Sequence, residues 1–138
     1  MSARDAGAAE HEAAHVVVGL ALGLRLRRVA LGAFDDEGWY THGFTWFRGN
    51  YAEHRLALGV MYCAGVAWEA RRGAKEYAAA DRELALKACK QSRHDYRTGV
   101  RIADEILRAR ARAHRRVVRE LCDRDLGPRD VERLVLGG

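Results

Sequence analysis

Long apolar runs are missing from this chain. None approaches the ~20 residues that a membrane-spanning helix requires, so no such span and no membrane partner are expected. The first residues also lack the basic-then-apolar form of a signal peptide, and the expectation is a soluble, cytoplasmic protein. Cysteine is sparse. Cys63, Cys89 and Cys122 are odd in number and form no C-x-x-C pair, which argues against a disulfide framework and for a reducing compartment. No internal repeat and no low-complexity linker divides the sequence. Nor is acid in excess: Asp and Glu total 19 against 24 Lys and Arg, a net charge of +5. That balance is compatible with an acidic partner without demanding one. What is present is 138 residues, 49% hydrophobic and 31% charged, the size and composition of one folded domain over 1–138.

The most informative stretch is His11-Glu12-Ala13-Ala14-His15, an H-E-x-x-H spacing. On a helix its first and fifth residues share a face about one turn apart. Two imidazoles can then converge on one divalent ion, with Glu12 beside them to accept a proton from water. The same spacing also arises as two surface histidines, so the context has to decide. From Arg4 to Leu22 the chain reads as a helix, with Ser2 as N-cap, Asp5 in the first turn and Gly23 as the stop. That helix is apolar on most sides, which reads as a segment passing through the core. Polar side chains there need partners, and a metal would satisfy His11 and His15.

Leu24 to Phe47 reads as a β-hairpin. Leu24, Leu26, Val29 and Leu31 alternate with Arg25, Arg27 and Arg28, with one slip at Arg27-Arg28 that suits a bulge. Asp35-Asp36-Glu37-Gly38 is turn chemistry, and Trp39 to Phe47 is rich in strand formers. One edge of so small a sheet is expected to be free, and a free edge can take up an extended peptide as an added strand. A hairpin that merely covers the core is the equal alternative. Thr41, His42, Gly43 and Phe44 on the second strand are candidate substrate-binding residues. Further helices are expected over Ala52–Arg72, with Leu56, Val60, Cys63, Ala64 and Ala67 inward and Gly73 as the stop, and over Ala78–Ser92. A long helix from Thr98 through Cys122 would bury Ile102, Ile106, Ala109, Ala113, Val117 and Leu121. A short last helix would open at Pro128, tolerated in a first turn, and end at Val135. The fold class is therefore α+β, mainly α: a zincin-like helical domain with one small hairpin.

A catalytic zinc usually takes three protein ligands and keeps one position for water. Downstream candidates for the third are Glu69, Asp81, His42, His54, His94 and Cys89. A metzincin would place a histidine where Ala21 stands, and no upstream cysteine motif of the deformylase type occurs. Taken together, the motifs resemble the peptidase domain of FtsH-type AAA proteases. His11-Glu12-Ala13-Ala14-His15-Val16-Val17-Val18-Gly19-Leu20 is similar to that family's zinc helix. Ala64-Gly65-Val66-Ala67-Trp68-Glu69-Ala70 is similar to its second element, and Ala78-Ala79-Ala80-Asp81-Arg82-Glu83-Leu84 to the one that bears the third ligand. The resemblance implies a Zn2+ ion on His11, His15 and Asp81, Glu12 as general base, and hydrolysis of peptide bonds. A carboxylate in a first helical turn also suits Asp81. Glu69 falls near the end of its helix and is expected to hydrogen-bond near the zinc helix or to face solvent. The chain departs from the family at Ala14, usually glycine there, and at Ala80, usually asparagine. No AAA module is evident, so such an enzyme would cut unfolded or flexible protein segments without ATP.

Arg108, Arg110, Arg112, Arg115, Arg116 and Arg119 have no acid among them. They read first as the solvated face of an amphipathic helix and second as a grip on phosphates. His42, His54, His94 and His114 read as surface or capping residues. The cysteines read as small core fillers, and Trp39, Trp46 and Trp68 as core anchors. Two function classes follow. One is a stand-alone zinc metalloendopeptidase acting on protein or peptide substrates. The other is a non-catalytic module that keeps the peptidase fold and touches nucleic acid through the Arg-rich helix 101–120. Relatives of the first type work as rings, so a homo-oligomer is an open expectation.

Overall fold

A computed structural model describes residues 6–34, 40–48, 55–72, 78–88 and 93–136. Ser2, Asp5, the 35–39 turn with Trp39, residues 49–54 with His54, Gly73, and 89–92 with Cys89 lie outside the described residues. So do the side chains of Thr41, His42, Phe44, Ala80 and His94. The fold is α+β and mainly helical, with six helices and one two-stranded antiparallel sheet among the described residues. No described helix is long and apolar enough to cross a membrane.

Helix α1 (Ala6–Ala21) is the axis of the molecule, buried continuously from His11 to Gly19. Apart from Glu10 and the H-E-x-x-H side chains its residues are apolar or glycine, so the helix sinks into the core. It ends where the sequence suggests. Gly23 adopts φ 83°, a left-handed conformation that costs glycine little. The Leu24 N–H then reaches the Gly19 carbonyl and the Gly23 N–H reaches that of Leu20, closing the last turn.

Strands β1 (Leu26–Phe34) and β2 (Tyr40–Phe47) pair antiparallel, Leu31 opposite Gly43 and Val29 opposite Thr45. The register shifts between Leu26 and Arg28, where the alternation slips in the sequence. β1's outer edge is covered. Val29 exchanges two backbone hydrogen bonds with Leu126, of 3.0 and 2.9 Å, and the Leu31 N–H donates to Asp125 Oδ1. No described strand pairs with the outer edge of β2.

Helix α2 (Arg55–Arg72) packs along α1 and presents Cys63, Ala64 and Ala67 to the core. Leu56, expected inward, is 86% exposed, because the first turn of α2 runs past the core. Helix α3 (Ala78–Ala88) lies on α2. The single long helix expected through Cys122 is instead two, α4 (Arg93–Ala109) and α5 (Ala111–Leu121), and α4 begins five residues earlier than Thr98. The chain turns at Arg110, with φ −115° and ψ 30°. The inner stripe is also shifted. Gly99, Ala103, Leu107, His114, Val117 and Leu121 are buried, Ile102 and Ile106 are half-buried flanks, and Ala109 is exposed. An unbroken helix would carry Arg110 onto that inner face, three residues past Leu107 and four before His114. The turn leaves Arg110 in solvent. Helix α6 (Pro128–Val135) starts at the lone proline and is capped by Asp130 Oδ2, which accepts the Gly127 N–H at 3.0 Å.

His114 is no surface histidine. It is buried, its ring lies 4.2 Å from that of Trp68, and its Nε2–H donates to the Glu10 carbonyl at 2.9 Å. Burial is the main cause that holds this imidazole below its usual pKa. The folded chain therefore refuses a proton that the unfolded chain accepts. The stabilisation is complete above about pH 6.5 and is lost as the pH falls below that. His114→Gln is accordingly expected to destabilise the fold by about 1–3 kcal/mol near neutrality. Urea titrations should show this gap to the wild type narrowing toward about pH 5; a gap constant with pH would contradict the neutral, buried imidazole.

Candidate metal centre

The 3.6-residue period of α1 stacks His11 and His15 one turn apart on the side facing α2 and α3. Both imidazoles are buried, 2% and 3% exposed, and their rings meet edge to face with centroids 4.8 Å apart. Their Nε2 atoms are 3.2 Å apart. Asp81, in the first turn of α3, comes to the same point from 66 residues downstream of His15. Its Oδ2 lies 2.5 Å from His11 Nε2 and 2.9 Å from His15 Nε2. Three ligand atoms from two helices thus converge, and together they could hold a metal ion.

The surroundings fit that role. His15 Nδ1–H donates to the Met61 carbonyl at 2.7 Å, which aims Nε2 into the cluster. Glu69, 3% exposed, sets its Oε2 3.7 Å from Nδ1 of His11, a carboxylate behind a ligand imidazole. Gly65 of α2 faces the cluster where any side chain would intrude. A Cβ there would fall on the His11 ring and 2.9 Å from Asp81 Oδ2. Tetrahedral coordination with metal–nitrogen bonds of ~2.1 Å separates ligand atoms by roughly 3.3 Å. The two nitrogens already have that spacing. Asp81 needs to withdraw by less than about 1 Å, a side-chain adjustment.

The electrostatics describe groups that share protons. Burial opposes charge on His15, but the Asp81 carboxylate overcomes it and lifts the imidazole to about 9. Burial likewise pushes Asp81 up, and the two histidines outweigh it and hold its carboxyl well below the usual range. A divalent cation competes for the same lone pairs, and its binding releases those protons.

Glu12 stands next to the cluster. It is 7% exposed, and its Oε2 lies 4.0 Å from His11 Nε2. Burial is the largest influence on its carboxyl and raises it above its usual value, while His15, His11 and Thr45 pull the other way. Its orientation comes from the hairpin. Thr45 donates its hydroxyl to Glu12 Oε1 at 2.7 Å. Gly43, two residues earlier, makes room: a Cβ there would lie 2.7 Å from Glu12 Cγ. Thr45 escapes the sequence reading because threonine in a strand looks like ordinary β propensity. The signal was its place two residues from Gly43, on the same face of β2.

No protein-family model matches this chain, and no curated protein matches it significantly. The site therefore rests on its own geometry. Asp81→Ala is expected to abolish stoichiometric divalent-ion binding, read as metal content after dialysis. Gly65→Ala, which removes no ligand and favours the helix, should still cost about tenfold or more in affinity. Full metal loading of Asp81→Ala would remove Asp81 from the ligand set.

Proposed function

We propose that this chain is a zinc-dependent metalloendopeptidase that hydrolyses peptide bonds in unfolded or flexible protein segments, in the manner of the FtsH-type peptidase domains it resembles. The observation that carries this reading is a glutamate held beside a His-His-Asp cluster without belonging to it. A bare metal site has no use for Glu12, whereas hydrolysis requires a base within reach of the attacking water. Two nitrogens and one carboxylate oxygen are a donor set that suits zinc. Bound there, the ion would polarise the scissile carbonyl and acidify water.

The remaining work falls to the chain. Glu12 Oε1 is tied to Thr45, which leaves Oε2 on the cluster side to take the proton of the attacking water. A carboxyl raised by burial is a stronger base than an exposed one, and it can return the proton to the departing amine. His15 is held by its hydrogen bond to Met61, and the Glu69 carboxylate stands 3.7 Å behind His11, so both ligand rings are backed by α2 while the proton moves. The edge of β2 with which no described strand pairs, on the strand that carries Gly43 and Thr45, suits an extended substrate segment added as a strand. Folded proteins offer no such segment, which matches a substrate that is unfolded or flexible.

Glu12→Gln should bind zinc at wild-type stoichiometry and lose at least about 10²–10⁴ in the rate of casein cleavage. Casein cleavage by this variant at the wild-type rate would sink the proposal. Thr45→Val should keep zinc and lower kcat about tenfold or more with little change in KM, since it alters the aim of the base and not the ligands.

A further inference from the structure

Six arginines, Arg108, Arg110, Arg112, Arg115, Arg116 and Arg119, occupy the end of α4, the turn and α5. All but the half-buried Arg116 are exposed. Some of the chain's arginines are paired with acids: Arg71 and Arg108 share Asp104, Arg72 reaches Glu10, and Arg124 reaches Glu120 and Asp130. Among the described residues, Arg110, Arg112, Arg115, Arg116 and Arg119 have no such partner. Spacings of three and four residues set Arg112 against Arg115 and Arg116, and Arg119 against both of those. Like charges so placed destabilise a helix. No ion pair among the described residues offsets that repulsion, and a bound polyanion would.

We propose that this face binds the phosphate backbone of duplex DNA. The side chains are all arginine and none lysine, and the guanidinium fork matches phosphate. No Phe, Tyr or Trp lies between Arg97 and Gly138, so the face has nothing to stack on bases and reads no sequence. The apolar side of α5, with Val117 and Leu121, is buried in the core, so the helix has no face to insert into a lipid surface. Arg112, Arg115 and Arg119 climb α5 about one turn at a time, which spreads the charge along a line. The inference is independent of the peptidase reading.

The test is binding of a DNA duplex of about 20 base pairs across a salt series. Wild type should bind at low salt with a slope of log K against log salt of about −3 or steeper, as four or more phosphate contacts require. Arg112→Gln/Arg115→Gln/Arg119→Gln should flatten that slope by about 2 to 3 units, and Arg115→Gln alone, too mild to unfold the chain, by about 0.9. Arg25→Gln/Arg27→Gln/Arg48→Gln removes the same charge from the hairpin end and should keep the wild-type slope. The proposal is overturned if wild type does not bind at low salt or if both triple variants lose binding equally. Tighter binding to phosphatidylserine vesicles than to the duplex also overturns it.

Discussion

Ionisable side chains sunk in an apolar helix are the constraint on which this structure turns. His11, Glu12 and His15 have almost no contact with water, and apart from Glu10 the residues of α1 around them are Ala and Val. A buried charge or an unsatisfied imidazole costs several kcal/mol. The segment can pass through the core only if other elements bring it complementary groups. Asp81 from α3, the Met61 carbonyl and Glu69 from α2, and Thr45 from β2 do so. Each neighbour of α1 on this side contributes at least one polar contact. The packing of the hairpin and of two helices is thus tied to the chemistry of three side chains.

Two glycines make that convergence sterically feasible. Gly65 lets α2 approach the His11–Asp81 contact, and Gly43 lets β2 approach Glu12. They belong to two different neighbours of α1. Neither has positive φ, so their value here lies in the absence of a side chain and not in backbone freedom. The same close approach holds Thr45 within hydrogen-bond distance of Glu12, so steric room and orientation of the carboxylate arise together.

Much of this was legible in the sequence, and most exceptions share a cause. The H-E-x-x-H spacing implies a face of a helix whatever else the chain does. The slip at Arg27-Arg28 announced the shift in register, and Gly23 and Pro128 punctuate helices where such residues belong. Asp81 needed more than periodicity: its place came from the resemblance and from the preference of a first turn for carboxylate. Leu56 apart, the misplacements trace to polar residues doing core work. Treating His114 as solvent-facing made Ala113 the inner residue, and that moved the stripe from Ala103 and Leu107 onto Ile102 and Ile106. The turn at Arg110 carries no glycine or proline to mark it. Its logic, keeping a guanidinium out of the core, appears only once the true stripe is known. Thr45 was hidden for a similar reason, since its partner is remote in the chain; of the two readings of Glu69, the place near the zinc helix is the one seen, and exposure to solvent is not.

The clasp between Val29 and Leu126 gives the small sheet a handed incompleteness. With β1 closed off by the chain itself, an outside strand can join only alongside β2. Two copies that met in this way would consume each other's remaining edge and stop, a closed pair about a twofold axis. A ribbon of successive molecules has no second edge from which to grow, so the hairpin can stay open to a passing segment without seeding a fibre.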